Sequence, residues 1–133
     1  MSGVVATAQS ALNAMTVSMA AAANNVANLD TDGYKAERVG LQTGEDGQGV
    51  TVSGVTYDGT TGGLRLVGEP TPFRNSGDTV DISEQGLRLA ETSNVDPARE
   101  TVSMIEASRG FEANLAVIRT QDSMAGALLD MQV

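Results

Sequence analysis

The sequence contains no cysteine, no histidine and no tryptophan, and its aromatic residues are two Tyr and two Phe. Without cysteine there are no disulfides and no thiolate chemistry. Without histidine the usual general base and the commonest metal ligand are missing. A core must be assembled from Val, Ile, Leu, Met and Ala. Positive charge is also scarce: 8 Lys and Arg stand against 17 Asp and Glu, for a formal net charge of -9. Phosphate recognition needs a basic patch, so no nucleic-acid partner is expected, and anionic membrane surfaces are disfavoured. Simple solubility accounts for the acidity. Long apolar runs are lacking too. Gln9, Asn13 and Thr16 interrupt the alanine-rich N-terminal stretch, which argues against a membrane-inserted helix. No Lys or Arg precedes the alanine run 20–23, so a cleaved signal peptide is not expected. A chain of 133 residues suits one domain of ordinary size.

What is present is a heptad. The first 29 residues carry no charged side chain. Within them Val5, Ala8, Leu12, Met15, Met19, Ala22, Val26 and Leu29 recur at alternating steps of three and four, which places them along one seam of a helix. The other positions hold alanines and neutral polar residues such as Gln9, Asn13, Asn24 and Asn25. So neutral a helix is poorly suited to standing alone in water and better suited to being surrounded by other helices. It is expected over residues 3 to 29, ending at Asp30-Thr31-Asp32-Gly33, with Gly33 free to take a positive φ.

Residues 34–92 read as β-rich. Positions 49–57 (GVTVSGVTY) alternate valine with polar residues, as a half-buried strand does. Shorter strands are expected at 64–67 and 85–90, turns at Asp58-Gly59 and Gly62-Gly63, and a mobile loop at 43–48. Pro70 and Pro72 demote their surroundings to loop or edge.

A second long helix is expected from Asp96-Pro97 to about Met131. Asp96 is a good N-cap, and Pro97 sits where proline is tolerated. Met104, Phe111, Leu115, Ile118, Ala125 and Leu129 form one stripe, and Val117, Met124, Leu128 and Met131 a second beside it. Gly110 and Gly126 each lower helix propensity by about 1 kcal/mol relative to Ala.

The fold class that follows is mainly α with a small β insert. The N- and C-terminal helices pair as an antiparallel coiled coil (residues 1–33 with 94–133), and residues 34–93 form the β-rich middle. Leu12, Met15, Met19, Val26, Leu29, Met104, Phe111, Leu115, Ile118 and Leu129 are the candidate helix-pairing and assembly residues. The six methionines serve as adaptable packing.

Chemistry is poorly supported. The run from Asn28 to Gly33 matches the start of a calcium-binding EF-hand loop, but the twelfth position is Val39, where a bidentate Glu is needed. A capped turn leaving a helix is the better reading. The middle glycines lack the Lys and Ser/Thr of a phosphate loop. Asp78, Asp81, Glu84 and Glu91 have no nucleophile or histidine beside them and read as a solvated β surface. No catalytic residue, metal or cofactor is expected.

Two further patterns resemble a known family. Ala22-Ala23-Asn24-Asn25-Val26-Ala27-Asn28, followed by Thr31-Asp32-Gly33-Tyr34-Lys35, resembles the N-terminal signature of bacterial flagellar axial (rod and hook) proteins. Ser93-Asn94-Val95-Asp96, then Met104 through Asn114 (MIEASRGFEAN) with Arg109 and Glu112, resembles their C-terminal signature. Both sit at the expected ends, in the expected order. The short middle segment is most similar to the small proximal-rod members, and residues 49–55 resemble a strand of their C type. That type's proline-rich stretch before a Y-x-x-x-H-P segment is absent, and Pro97 replaces a more usual aliphatic residue. The resemblance implies export by the flagellar type III apparatus without N-terminal cleavage. It also implies assembly with copies of itself and other rod proteins into a rod that crosses the periplasm and transmits torque from motor to hook. The alternative from another class is a secreted, non-flagellar coiled-coil protein forming a discrete oligomer.

Overall fold

The computed structural model describes residues 2–68, 79–81 and 87–131. In chain order the elements are α1 (Ser2–Ala27), β1 (Glu37–Thr43), a 3-10 turn (Glu45–Gly47), β2 (Val50–Tyr57), β3 (Leu64–Gly68), β4 (Thr79–Asp81), β5 (Leu87–Glu91) and α2 (Pro97–Asp130). The chain is two long helices with small antiparallel sheets between them, as the sequence implied.

The helix ends obey local rules. Asp96 is extended (φ -99°, ψ 108°), and its carboxylate accepts from the backbone N–H of Ala98 (2.9 Å) and Arg99 (3.4 Å). That satisfies two orphan donors of the first turn, and Pro97 removes another. After α1, Gly33 takes φ +71° and donates its N–H to Glu91 O at 2.8 Å. The left-handed conformation that turns the chain back toward β5 suits glycine.

The helices run antiparallel. Asn25 bonds to Glu100, and Met15 lies over Gly110, where a Cβ would come within 3.1 Å of the methionine sulfur. Gly110 therefore marks a close approach of the two helices. Continued at the same pitch, Ser2 lies level with about residue 123, so the last two turns of α2 project beyond α1.

The buried face is made of small residues. Ala8, Ala11, Ala14, Ala21 and Ala22 of α1 and Ala107 of α2 are buried, and Val95 is the largest buried apolar residue among those described. Leu12, Met15 and Met19, with Met104, Phe111, Leu115 and Ile118, are half-buried along the flanks; α1 ends at Ala27, so Leu29, expected on the helix seam, lies half-buried in the turn that follows. The face is thus rotated from the expected seam toward the alanines, because small side chains allow two helices to approach closely. Two candidates are exposed. Val26, one turn after buried Ala22, is 39 % exposed at the border of the face, and Leu129 is 68 % exposed on the overhang of α2, past the end of α1.

The sheets contain two strands beyond the expected ones. β1 pairs with β2 from Glu37↔Tyr57 to Thr43↔Val50, with a bulge between Gly40 and Leu41. Its sequence (ERVGLQT) opens with charge and carries a glycine, which hides the alternation of Val39 and Leu41. Where a loop was expected at 43–48, Thr43 ends β1 and a 3-10 turn follows, across which Gly44 N–H donates to Gly49 O (3.1 Å). The second sheet has the order β3-β5-β4, and β4 joins it by pairing Thr79↔Ala90. The start of the expected strand at 85–90, and Pro70, Pro72, Asp78 and Glu84, lie outside the described residues.

Candidate functional site

The densest polar cluster lies where both helices meet the start of β1. Asn25 ends the buried line of α1 and is fully buried. Its Nδ2 donates to Glu37 O (2.9 Å) and Glu100 Oε2 (3.0 Å); its Oδ1 accepts from Glu37 N–H (2.7 Å) and the Tyr34 hydroxyl (3.1 Å). All four bonding positions of the amide are filled. The amide pairs with both backbone groups of Glu37 as a neighbouring strand would.

Asn94, arriving from the other end of the chain, holds the preceding residue. Its Oδ1 accepts from Ala36 N–H (2.7 Å), and its Nδ2 donates to Asp58 O (3.0 Å) and Thr60 O (2.9 Å). Two asparagines separated by the whole middle segment thus seize adjacent residues, 36 and 37.

Charge completes the clamp. Glu100 is 1 % exposed, and its Oε1 accepts from Arg38 Nη1 while Oε2 accepts from Asn25. Removing one partner of such a buried pair costs about 3–5 kcal/mol, because it strands the other charge. Arg38 also approaches Asp58 (3.8 Å), while its buried Nε has no partner among the described residues. Asn24 Nδ2 reaches the Tyr34 hydroxyl (3.2 Å) and Glu37 Oε1 (3.0 Å). Burial, and then the Glu37 charge, raise the Tyr34 pKa above its ordinary value. Nearby, Glu91 Oε1 accepts from Lys35 Nζ (2.6 Å) and Gly62 N–H (2.7 Å); the Lys35 bond is the largest cause of its lowered pKa. The Thr60 backbone and hydroxyl bonds likewise lower that of Asp58.

The clamp gathers most of the signature residues: Asn24, Asn25, Gly33, Tyr34, Asn94 and, as the cap of α2, Asp96. Asn28 bonds back to Asn24 O (2.9 Å) and accepts from Thr31 Oγ1 (3.2 Å), and Asp32 pairs with Arg65 (2.9 Å). These side chains of the would-be calcium loop are thus engaged in capping and an ion pair. Arg109 and Glu112 lie apart, exposed on the outer face of α2, while Asn114 bonds its own helix at Gly110 O (2.8 Å). Arg38 and Glu100 escaped the sequence reading, since a charged residue on a polar stretch gives no sign that it will be buried.

The comparisons bracket this cluster. A family model described as flagella basal body rod protein matches residues 6–35, and one described as flagellar basal body rod FlgEFG protein C-terminal matches residues 88–131. The chain is similar to the flagellar basal-body rod protein FlgC of Buchnera aphidicola, at 32 % identity over 88 % of this chain and 87 % of that one. The chain belongs to the flagellar basal-body rod protein family. FlgC of Yersinia enterocolitica is 30 % identical over 88 % of this chain and 87 % of its own. FlgC of Bacillus subtilis is 28 % identical over 92 % and 91 %. A basal-body rod protein is a structural subunit, and the clamp is the structural device that ties both of its terminal helices to the middle segment. Among the described residues no helix is long and apolar enough to cross a membrane, and no group of three or more acidic residues is placed to hold a metal.

Proposed function

We propose that this chain is a proximal-rod subunit of the FlgC type, which packs through its two terminal helices against copies of itself and other rod proteins. The supporting observation is an inversion of size. The pair buries alanines, while Val4, Val17, Val102, Ile105, Leu128 and Met131 are exposed. Alanine burial leaves a modest core, at ~0.8 kcal/mol per buried CH₂ group. The larger aliphatic groups are then available to stabilise contacts between subunits, where each fully buried Val, Leu or Met contributes about 1.5–3 kcal/mol. Val26 and Leu129 belong to this outward set, and so do Arg109 and Glu112, which read as inter-subunit contacts.

The mechanism is mechanical. Packing of many helices converts small contacts into a stiff tube that carries torque from motor to hook, and no residue performs chemistry. The chain reaches the rod through the flagellar type III export apparatus with its N-terminus uncut; a disulfide-free chain suits threading. Arg109→Glu tests the outward role. It should reduce the amount of chain in purified basal bodies several-fold while leaving the unfolding free energy of the isolated chain, from urea titration, within ~0.5 kcal/mol of the parent's. Equal loss of folding and incorporation would overturn the assignment.

A further inference from the structure

Two strand edges of this chain match each other. Asp58 N–H donates to Ala36 O, and the Glu37 backbone turns away from β2 to meet Asn25. Hydrogen bonding alternates along an antiparallel ladder, so Val55 and Tyr57, opposite Val39 and Glu37, point their backbone groups away from β1. In the other sheet Thr92 N–H donates to Gly63 O, and the same alternation turns the backbone groups of Leu64 and Leu66 away from β5. Among the described residues none of these outward groups has a partner. The side chains are open as well: Val55 is 46 %, Tyr57 68 %, Leu64 70 % and Leu66 60 % exposed.

Soluble proteins ordinarily blunt such edges with charge, proline or bulges. β2 (VTVSGVTY) has no charge and no proline, and its bulge, at Ser53, comes before the Val55–Tyr57 stretch. β3 (LRLVG) has one charge, Arg65, which is held by Asp32. In a chain of net charge -9, neither edge carries an acidic residue, so two copies can meet there without like-charge repulsion between the strands.

We propose that β2 of one copy accepts β3 of a second copy as an added antiparallel strand, with Val55 opposite Leu66 and Tyr57 opposite Leu64. The outward groups have the same two-residue spacing on both edges, so this register closes four backbone hydrogen bonds. It also sets apolar side chains opposite one another on one face. The two edges differ, so the contact is heterologous and repeats from copy to copy instead of closing as a pair. It rests on the reading of the chain as an assembling rod subunit and adds a contact outside the terminal helices.

The chain lacks cysteine, so introduced cysteines report the contact. Thr56 and Arg65 would face each other as a non-hydrogen-bonded pair with Cα atoms about 4.5 Å apart, within disulfide reach. Full-length Thr56→Cys and Arg65→Cys chains are co-expressed in the native bacterium, and the isolated hook–basal bodies are mildly oxidised. A mixed disulfide dimer is expected, at least several-fold above that from Gln42→Cys on β1 with Arg65→Cys. A mixed dimer no more abundant than this control, or only Thr56→Cys homodimers, overturns the proposal. Val55→Lys reads the same contact without cysteine: several-fold less chain per basal body is expected at unchanged far-UV circular dichroism. A parental amount overturns the contact yet leaves the rod reading standing. Absence of the parental chain from basal bodies would refute that reading, and the contact with it.

Discussion

Asn25 offers the sharpest perturbation. Asn25→Ala removes four hydrogen bonds at a fully buried site. The Glu37 N–H is left buried and unpaired, at about 1–3 kcal/mol, and the Glu100 carboxylate loses a charge-assisted bond of about 1.5–3 kcal/mol. Tyr34 keeps its bond from Asn24. The expected loss is therefore ~3–5 kcal/mol, a large share of a domain's usual ~5–15 kcal/mol. Asn25→Asp fills the same volume but lacks both donors. It places a carboxylate oxygen against Glu100 Oε2, at a site where the amide nitrogen lies 3.0 Å away. That like charge raises the folded pKa of the new group. A raised folded pKa gives stability that is full at low pH and is lost as pH rises through it. Asn25→Asp should thus match or exceed the alanine loss at pH 7 and recover part of it near pH 4. Urea denaturation followed at the helix band, at both pH values, measures this. A loss under ~1 kcal/mol for either variant at pH 7, or no pH dependence beyond the parent's for Asn25→Asp, would refute the clamp as described.

Other consequences follow from the same geometry. In a Tyr57→Phe chain, Tyr34 is the sole tyrosine; its phenolate absorbance should appear above the ordinary pKa near 10, and stability should fall as pH rises through that value. Asp58 and Glu91 have lowered pKa values, so their stabilisation is present above the ordinary carboxylate range and is lost as pH falls through the folded values. Lys35→Gln should make the acid-side loss shallower in urea titrations at pH 7 and 3. Gly110→Val should cost about 1–3 kcal/mol by crowding Met15, whereas Gly33→Ala should cost about 1–2 kcal/mol through its positive φ alone, since nothing lies within 4 Å of a Cβ there.

Much of the scaffold was legible because it obeys local chemistry. The Asp96 cap, the Pro97 start and the positive φ of Gly33 each follow from one residue's conformational limits, and the structure holds all three. The helix pair followed from period and length. What escaped depends on packing partners far apart in sequence. Heptad logic weights large residues, yet these two helices meet on alanines, which leaves Val26 at the border of the face. β1 was hidden by Glu37, Arg38 and Gly40, although a fully satisfied asparagine waits for its backbone. The signature motifs named Asn25, Tyr34 and Asn94 without saying what they hold. Glu100 looks like any surface carboxylate until Arg38 and Asn25, 62 and 75 residues away, are placed against it.

Mass spectrometry of hook–basal bodies purified from the native bacterium tests the rod assignment most directly. The first Lys or Arg is Lys35, so a tryptic peptide running from the N-terminal residues to Lys35 reports the uncut helix α1 in one species. Detection of that peptide with those of the other rod proteins is predicted. Clean basal bodies that hold the other rod proteins but none of this chain would contradict its role as a rod subunit.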